Sequence, residues 1–367
     1  YYSNKGVIVA PHIYNDNGYC SVCSDNKIPK YSDGYYLIGT VGELYWFADY
    51  VNYENFANAR LIADITINEN VLTEEGELNG DGSDFVEWTP IGYGQHFQEE
   101  IWWYEGVFLG DGYTISGLYI GQGCDYYDGF FSALGGNGSI SGVNITDSYI
   151  YGNGAGGIVA YIESGIVENC SFDGLVVGTD EECGGVAGSS GGTIKNCVNY
   201  GTVRANYSFV GGVVGYNGGT VENCYNYGTV SGGSSYCGSI AGVSEGNNDY
   251  ISNCYYLEST ATYNDGSAML GVGVYSGTPA DSEGVTESKT AEEFAGGEVT
   301  YLLNDGVTDG SQAWYQTLET DAYPVFEGKT VYEINVYSDC TKAEFTGTVY
   351  SNKATDTAPH LEYDNGF

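Results

Sequence analysis

Basic residues are the scarcest class in this chain. Ten Lys and Arg stand against 49 Asp and Glu in 367 residues, and the formal net charge is -39. Phosphate-backbone binding needs cations to displace counterions, so nucleic acid is excluded as a partner. Anionic membrane surfaces are excluded on the same ground. No apolar run approaches the length that spans a bilayer, so membrane insertion is excluded as well. Methionine occurs once and histidine three times. There is no His-Glu-x-x-His and no phosphate loop. No leader peptide is visible, and a chain that opens on Tyr1 is expected to be processed or excised from a longer one. What is abundant is Gly (57) and Tyr (37), with 42% hydrophobic residues, enough for a sizeable core despite the charge. This balance points to an extracellular, β-rich, salt-tolerant surface protein.

The middle of the chain repeats. Gly156-Gly157-Ile158-Val159-Ala160 returns at Gly184, Gly211 and, weakened, Gly238, at spacings of 28, 27 and 27. Asn-Cys returns at Asn169-Cys170, Asn196-Cys197, Asn223-Cys224 and Asn253-Cys254, at spacings of 27, 27 and 30. Short strand-like pieces such as Gly219-Thr220-Val221-Glu222 and Tyr227-Gly228-Thr229-Val230 lie between the markers. One such turn cannot bury its own inward face, whereas stacked turns about 4.8 Å apart share a continuous core. The predicted fold is all-β: a right-handed parallel β-helix with short capping helices and a small terminal β module.

The Gly-Gly-Val-Val-Gly and Thr-Val-Glu-Asn-Cys pattern resembles the GLUG-motif repeats of bacterial cell-surface proteins, over roughly residues 36–331. The resemblance implies a β-helix on a secreted or wall-attached protein and is silent on activity. The expected division is 1–35 as an extension, 36–123 as cap and first turns, 124–260 as the solenoid, 261–330 as the C-terminal cap and 331–367 as a small β module. Leu44, Phe47, Ala48 and Val51 at helical spacing, with Thr40 and Glu43 at capping positions, predict a helix over 41–56 covering the N-terminal end. Thr290, Glu293, Phe294 and Leu303 predict a second helix covering the other end, interrupted at Gly296-Gly297.

The termini match. Tyr2-Ser3-Asn4-Lys5, Ala10-Pro11-His12 and Asp16-Asn17-Gly18 return at Tyr350, Ala358 and Asp364, all at an offset of 348. This predicts a tandem array or head-to-tail filament, with further copies of the chain as partners. His12, Cys20 and Cys23 carry a Cys-x2-Cys spacing, and Cys340 and His360 precede the expected next copy. These residues suit a structural zinc, a disulfide or free thiols. Asn79, Asp81, Ser83, Asp84 and Glu87 offer oxygen ligands at calcium-loop spacing, with an acidic surface loop as the plain alternative.

Equivalent cysteines on adjacent turns have parallel Cβ vectors, which oppose disulfides. Asn169, Asn196, Asn223 and Asn253 with Cys170, Cys197, Cys224 and Cys254 are therefore expected as a stacked ladder of amides and free thiols. Trp102, Trp103 and Tyr104 are the predicted contact patch for a glycan or host protein. Three functions follow: a non-catalytic structural or adhesive module, a carbohydrate-binding module, and a hydrolase working through paired carboxylates. A lyase for acidic sugars needs cations, and residues 124–257 hold only Lys195 and Arg204. Gly188-Ser189-Ser190-Gly191-Gly192 matches a nucleophile-elbow motif in letters only.

Overall fold

The computed structural model describes residues 15–19, 26–54, 56–92, 103–121, 127–179, 182–206, 209–233, 236–245, 250–275, 278–279, 286–337 and 345–354. The sequence period reappears as pairing. Ser139, Ile166, Thr193 and Thr220 are consecutive partners in one parallel sheet, each one sequence period beyond the last. That nine-stranded sheet holds eight parallel strands, one per turn of a parallel β-solenoid. One full turn runs through five short strands: Thr193–Lys195, Val198–Asn199, Thr202–Ala205, Val210–Gly211 and Val214–Asn217. The strands are this short because a single period of chain must supply all of them and the bends between.

Stacking places like on like. Ile140, Val167, Ile194 and Val221 form one buried column, and Ile150, Val176, Val203 and Val230 another. At one bend Gly174, Gly201 and Gly228 lie over each other, and a Cβ on either of the last two would collide with the carbonyl oxygen of the glycine beneath. At another bend Asn169, Asn196, Asn223 and Asn253 hold left-handed backbone, with φ of 54, 49, 55 and 50°. Asn tolerates this conformation better than most residues. Its amide also pairs along the axis, Asn196 Nδ2 to Asn169 Oδ1 at 3.1 Å and Asn253 Nδ2 to Asn223 Oδ1 at 2.9 Å.

A second amide ladder lies inside the core. Asn199 and Asn226 follow Phe172 in register and are wholly buried. Asn199 Nδ2 donates to Asn226 Oδ1 at 2.7 Å, and Asn199 Oδ1 accepts from Gly201 N at 3.1 Å. Buried amides are tolerable here because each finds its partner one turn along.

Helix α1, Val41–Glu54, covers the N-terminal end, two residues shorter than the sequence predicts. Leu44, Phe47, Ala48 and Val51 are buried in the main core. Thr40 Oγ1 accepts from Glu43 N at 3.3 Å, and the Glu43 carboxylate accepts from Gly39 N at 2.9 Å, one residue before the expected capping-box partner. Strand Lys30–Ser32 pairs antiparallel with Tyr35–Ile38 and closes that edge. At the other end Val272–Tyr275 pairs antiparallel with Thr278–Pro279, and an antiparallel bridge joins Thr262 to Ala268.

The C-terminal helices are not where the periodicity puts them. Helices α2 (Ala291–Gly296) and α3 (Glu298–Leu303) do not cap the last turn; they brace the flank. The capping box at Thr290 and Glu293 is present, and Gly297 with φ 92° separates the two helices. Phe294 packs on Tyr225 and Tyr227 at ring distances of 5.6 and 5.2 Å. Trp314 Nε1 donates to Asn223 O at 3.1 Å, and Tyr323 covers Tyr200 and Tyr227 at 4.7 Å each. The reason is the outer face itself: Val198, Tyr225 and Tyr255 form a large apolar strip that water would otherwise meet. Lys289, almost fully buried, ties the brace to the last turn through Glu298 at 2.7 Å and Glu287 at 3.3 Å. The antiparallel hairpin Tyr332–Tyr337 with Phe345–Ser351 follows. Asn352 pins it by accepting from Leu318 N and donating to Gln316 O and Thr330 O.

Residues 67–92 brace a neighbouring region. Asp147 accepts from Val71 N and Leu72 N at 3.1 and 2.8 Å. Arg204 forks onto Glu77 at 2.7 and 2.8 Å.

Two outcomes are expected. Asn226→Ala strips Asn199 of its buried acceptor and should lower unfolding stability by about 1–3 kcal/mol. A urea midpoint unchanged at constant slope would show that the inner ladder does not stabilise the fold. The brace should also respond to acid. The Glu293 carboxyl is held low, chiefly by the Thr290 backbone N–H. Its contribution is present above the unfolded carboxylate pKa near 4.3 and is lost as pH falls through the lower folded value. Burial alone would lower the Lys289 ammonium, but the hydrogen bonds and charges of Glu298 and Glu287 together outweigh it and the net direction is up. That contribution is full below about 10.4 and is lost as pH rises through the folded value. Acid titration of Glu293→Gln against wild type, followed by melting temperature, should therefore show a smaller acid loss in the variant.

Candidate functional site

His12, Cys20, Cys23, Cys340, His360 and Trp102 lie outside the described residues. Among the described residues, no three of His, Cys, Asp and Glu gather into a metal-holding group. The five calcium-loop candidates are not drawn together. Asn79 Nδ2 donates to Asn70 O at 3.0 Å. Asp81 Oδ1 accepts from Ser83 N and Oγ at 3.0 and 2.6 Å, and Glu87 Oε1 accepts from Gly121 N at 3.0 Å. Asp84 lies in the same turn region, and the segment is tied both within itself, at Asp81 and Ser83, and to Asn70 and Gly121 outside it.

The thiol ladder is present. Among the described residues Cys170, Cys197, Cys224 and Cys254 form no disulfide and are buried, and Cys183 and Cys237 are likewise buried and outside any disulfide. Each ladder sulfur faces the carbonyl two residues before it, as Cys224 Sγ faces Glu222 O at 3.2 Å. Burial pushes the Cys170 and Cys224 thiols up, away from the reactive thiolate.

Among the described residues, Asp147 and Asp173 are a candidate carboxylate pair. Burial, then the charge of Asp147, raises Asp173 on the neighbouring turn. Asp147, however, spends both oxygens on the backbone of residues 71–72. Its observed contacts hold that segment against the turn. The two cations of the repeats are also engaged, Lys195 with Glu222 at 2.6 Å and Arg204 with Glu77. Ser189 and Ser190 sit in the strand Ala187–Ser190, not on a strand-to-helix elbow.

The aromatic patch needs a correction. Tyr104 is wholly buried, its hydroxyl donating to Ala57 O at 2.8 Å and its ring packed on Phe131 at 5.2 Å. An isolated parallel bridge to Leu134 seats it against the core, so it carries no surface contact. Trp103 is half-buried on the outer side. It meets Tyr161 at 5.6 Å, and Tyr161 stacks on Tyr127 at 5.1 Å. A second outer cluster joins Phe209 to Tyr236 at 5.1 Å and to Tyr216 at 6.1 Å. Composition alone does not show this stripe, because its members are scattered through several turns of chain, from Trp103 to Tyr236. The repeat register could have aligned them.

The GLUG motif matches residues 207–231. No curated protein matches the chain. Among solved structures it is similar to a Bacteroides ovatus protein provisionally described as an immunoglobulin A1 protease. The likeness has a TM-score of 0.54 at 19% identity, covering 83% of this chain and 96% of that one. At that identity the likeness is one of fold. The chain carries a GLUG motif on a parallel β-solenoid.

The thiols provide a direct check. Under native conditions a water-soluble disulfide reagent should leave these six cysteines unlabelled, and urea should expose them all. Rapid native labelling mapped to any ladder cysteine would contradict the stacked core.

Proposed function

We propose that this chain is a rigid, non-catalytic module of a secreted or surface-attached bacterial protein, acting as a spacer and presenting its flanks to partners. One observation carries the reading. Eight turns share an uninterrupted core while both ends are closed, by α1 and antiparallel strands on one side and by antiparallel pairs on the other. Closed ends oppose strand-by-strand growth between molecules. Copies in an array are then joined through the chain, in keeping with the repeat of Tyr2–Lys5 at Tyr350–Lys353. The acidic excess and the GLUG motif support an extracellular setting. No helix among the described residues is long and apolar enough to cross a membrane. Proteolysis is not carried over from the Bacteroides ovatus protein: the Gly-x-Ser-x-Gly match here ends a short strand and leads into another strand, not a helix.

Small-angle scattering over a concentration series should give a monomer whose solenoid core is roughly 38 Å long, from eight turns at about 4.8 Å each. Rods that lengthen with concentration would overturn the closed-end reading.

A further inference from the structure

The strand register places an alternating column on the outer surface. An isolated bridge pairs Tyr104 with Leu134, which puts Trp103 level with Ala133. Ala133 pairs with Tyr161, Tyr161 with Ser189, Ser189 with Tyr216, and Tyr216 with Val243. Large rings therefore stand on every second turn, with small residues between. Two turns span roughly 9.6 Å at the spacing of neighbouring strands. Trp103 leans over Ala133 to touch Tyr161. Ser189, itself buried, lies between Tyr161 and Tyr216 in this column.

Carboxylates act on both phenols. Burial and then the charges of Glu163 and Glu182 push the Tyr161 phenol up. Burial, then the hydrogen bond and charge of Glu245, with Glu182 adding to them, push Tyr216 up to about 12. Glu182 thus acts on both rings, and Glu163 and Glu245 flank them. Every charged side chain acting on these two phenols is acidic, in a chain of net charge -39.

We propose that this face binds a basic polypeptide segment lying along the solenoid axis in the polyproline II conformation, with Lys or Arg at every third residue. Aromatic faces attract ammonium and guanidinium groups, and the carboxylates complete the neutralisation. A polyproline II helix repeats every three residues at about 3.1 Å each, so its equivalent side chains recur at about 9.3 Å. That spacing matches the two-turn interval between the backbone positions of Tyr161 and Tyr216. Aromatic-lined grooves already serve as receptors for this conformation in other folds. The face would bind in this way whether or not the chain serves as a spacer.

The test uses the full chain and fluorescence anisotropy. The probe is a labelled peptide of repeated Pro-Pro-Lys triplets. Controls are a peptide of the same composition with irregular lysine spacing, and neutral β-linked glucose and xylose oligosaccharides. Binding should be saturable, weakened by salt, and tighter for the regular peptide. Tyr216→Ala and Tyr161→Ala should weaken it about tenfold, the scale of one cation–π contact. Glu182→Gln, which preserves shape, should weaken it several-fold. Tyr31→Ala, remote and exposed, should bind as wild type. Thermal melts confirm that each variant is folded. Equal affinity for both peptides would reduce the effect to general charge attraction and overturn the proposal. Indifference to the Tyr and Glu substitutions would overturn it too, as would oligosaccharide binding that depends on Tyr161 and Tyr216, which would make the face a glycan site.

Discussion

Parallel pairing of each turn with the next is the constraint on which everything else depends. Once the period is set, every residue lies over its own equivalent, and side-chain choice becomes a problem of self-stacking. Aliphatic residues stack easily. Glycine stacks where carbonyls crowd the bend. Asparagine stacks because its amide is both donor and acceptor, so a column of them satisfies itself. Cysteine stacks as a small apolar group with no cross-link. The repeat is therefore a physical requirement of the fold and not a trace of ancestry alone.

A solenoid solves its core but not its surfaces. Each end offers open backbone, and each outward column offers whatever side chains face water. This chain meets the first problem with α1 and antiparallel strands, and part of the second with two lateral braces. One brace is aromatic and carries Phe294, Trp314 and Tyr323 onto Val198, Tyr225 and Tyr255. The other is polar and works through Asp147 and the Arg204–Glu77 fork. The scarce cations of the repeats are spent on such contacts. The stripe from Trp103 to Tyr216 is a flank that neither brace covers, so the spacer and partner-binding readings are compatible on one molecule.

The solenoid, its period, the thiol and amide ladder at Asn169 to Cys254 and the capping box at Thr290 were legible in the residues, because stacking imposes local, repeated chemistry. The inner ladder of Asn199 and Asn226 was readable in principle from the same register. What sequence could not decide is which way a non-repeated segment turns. Tyr104 and Trp103 are neighbours in an aromatic run, yet the bridge to Leu134 buries one and leaves the other half-buried on the outer side. Phe294 and Leu303 show an apolar helical face without saying what it covers. The calcium-type spacing at Asn79 to Glu87 is equally silent on whether its oxygens converge or bond within the loop. Periodic contacts are written once per turn and can be read along the chain. The flank braces, the closed ends and the aromatic stripe join residues from different turns, and only the stacked three-dimensional register brings them together.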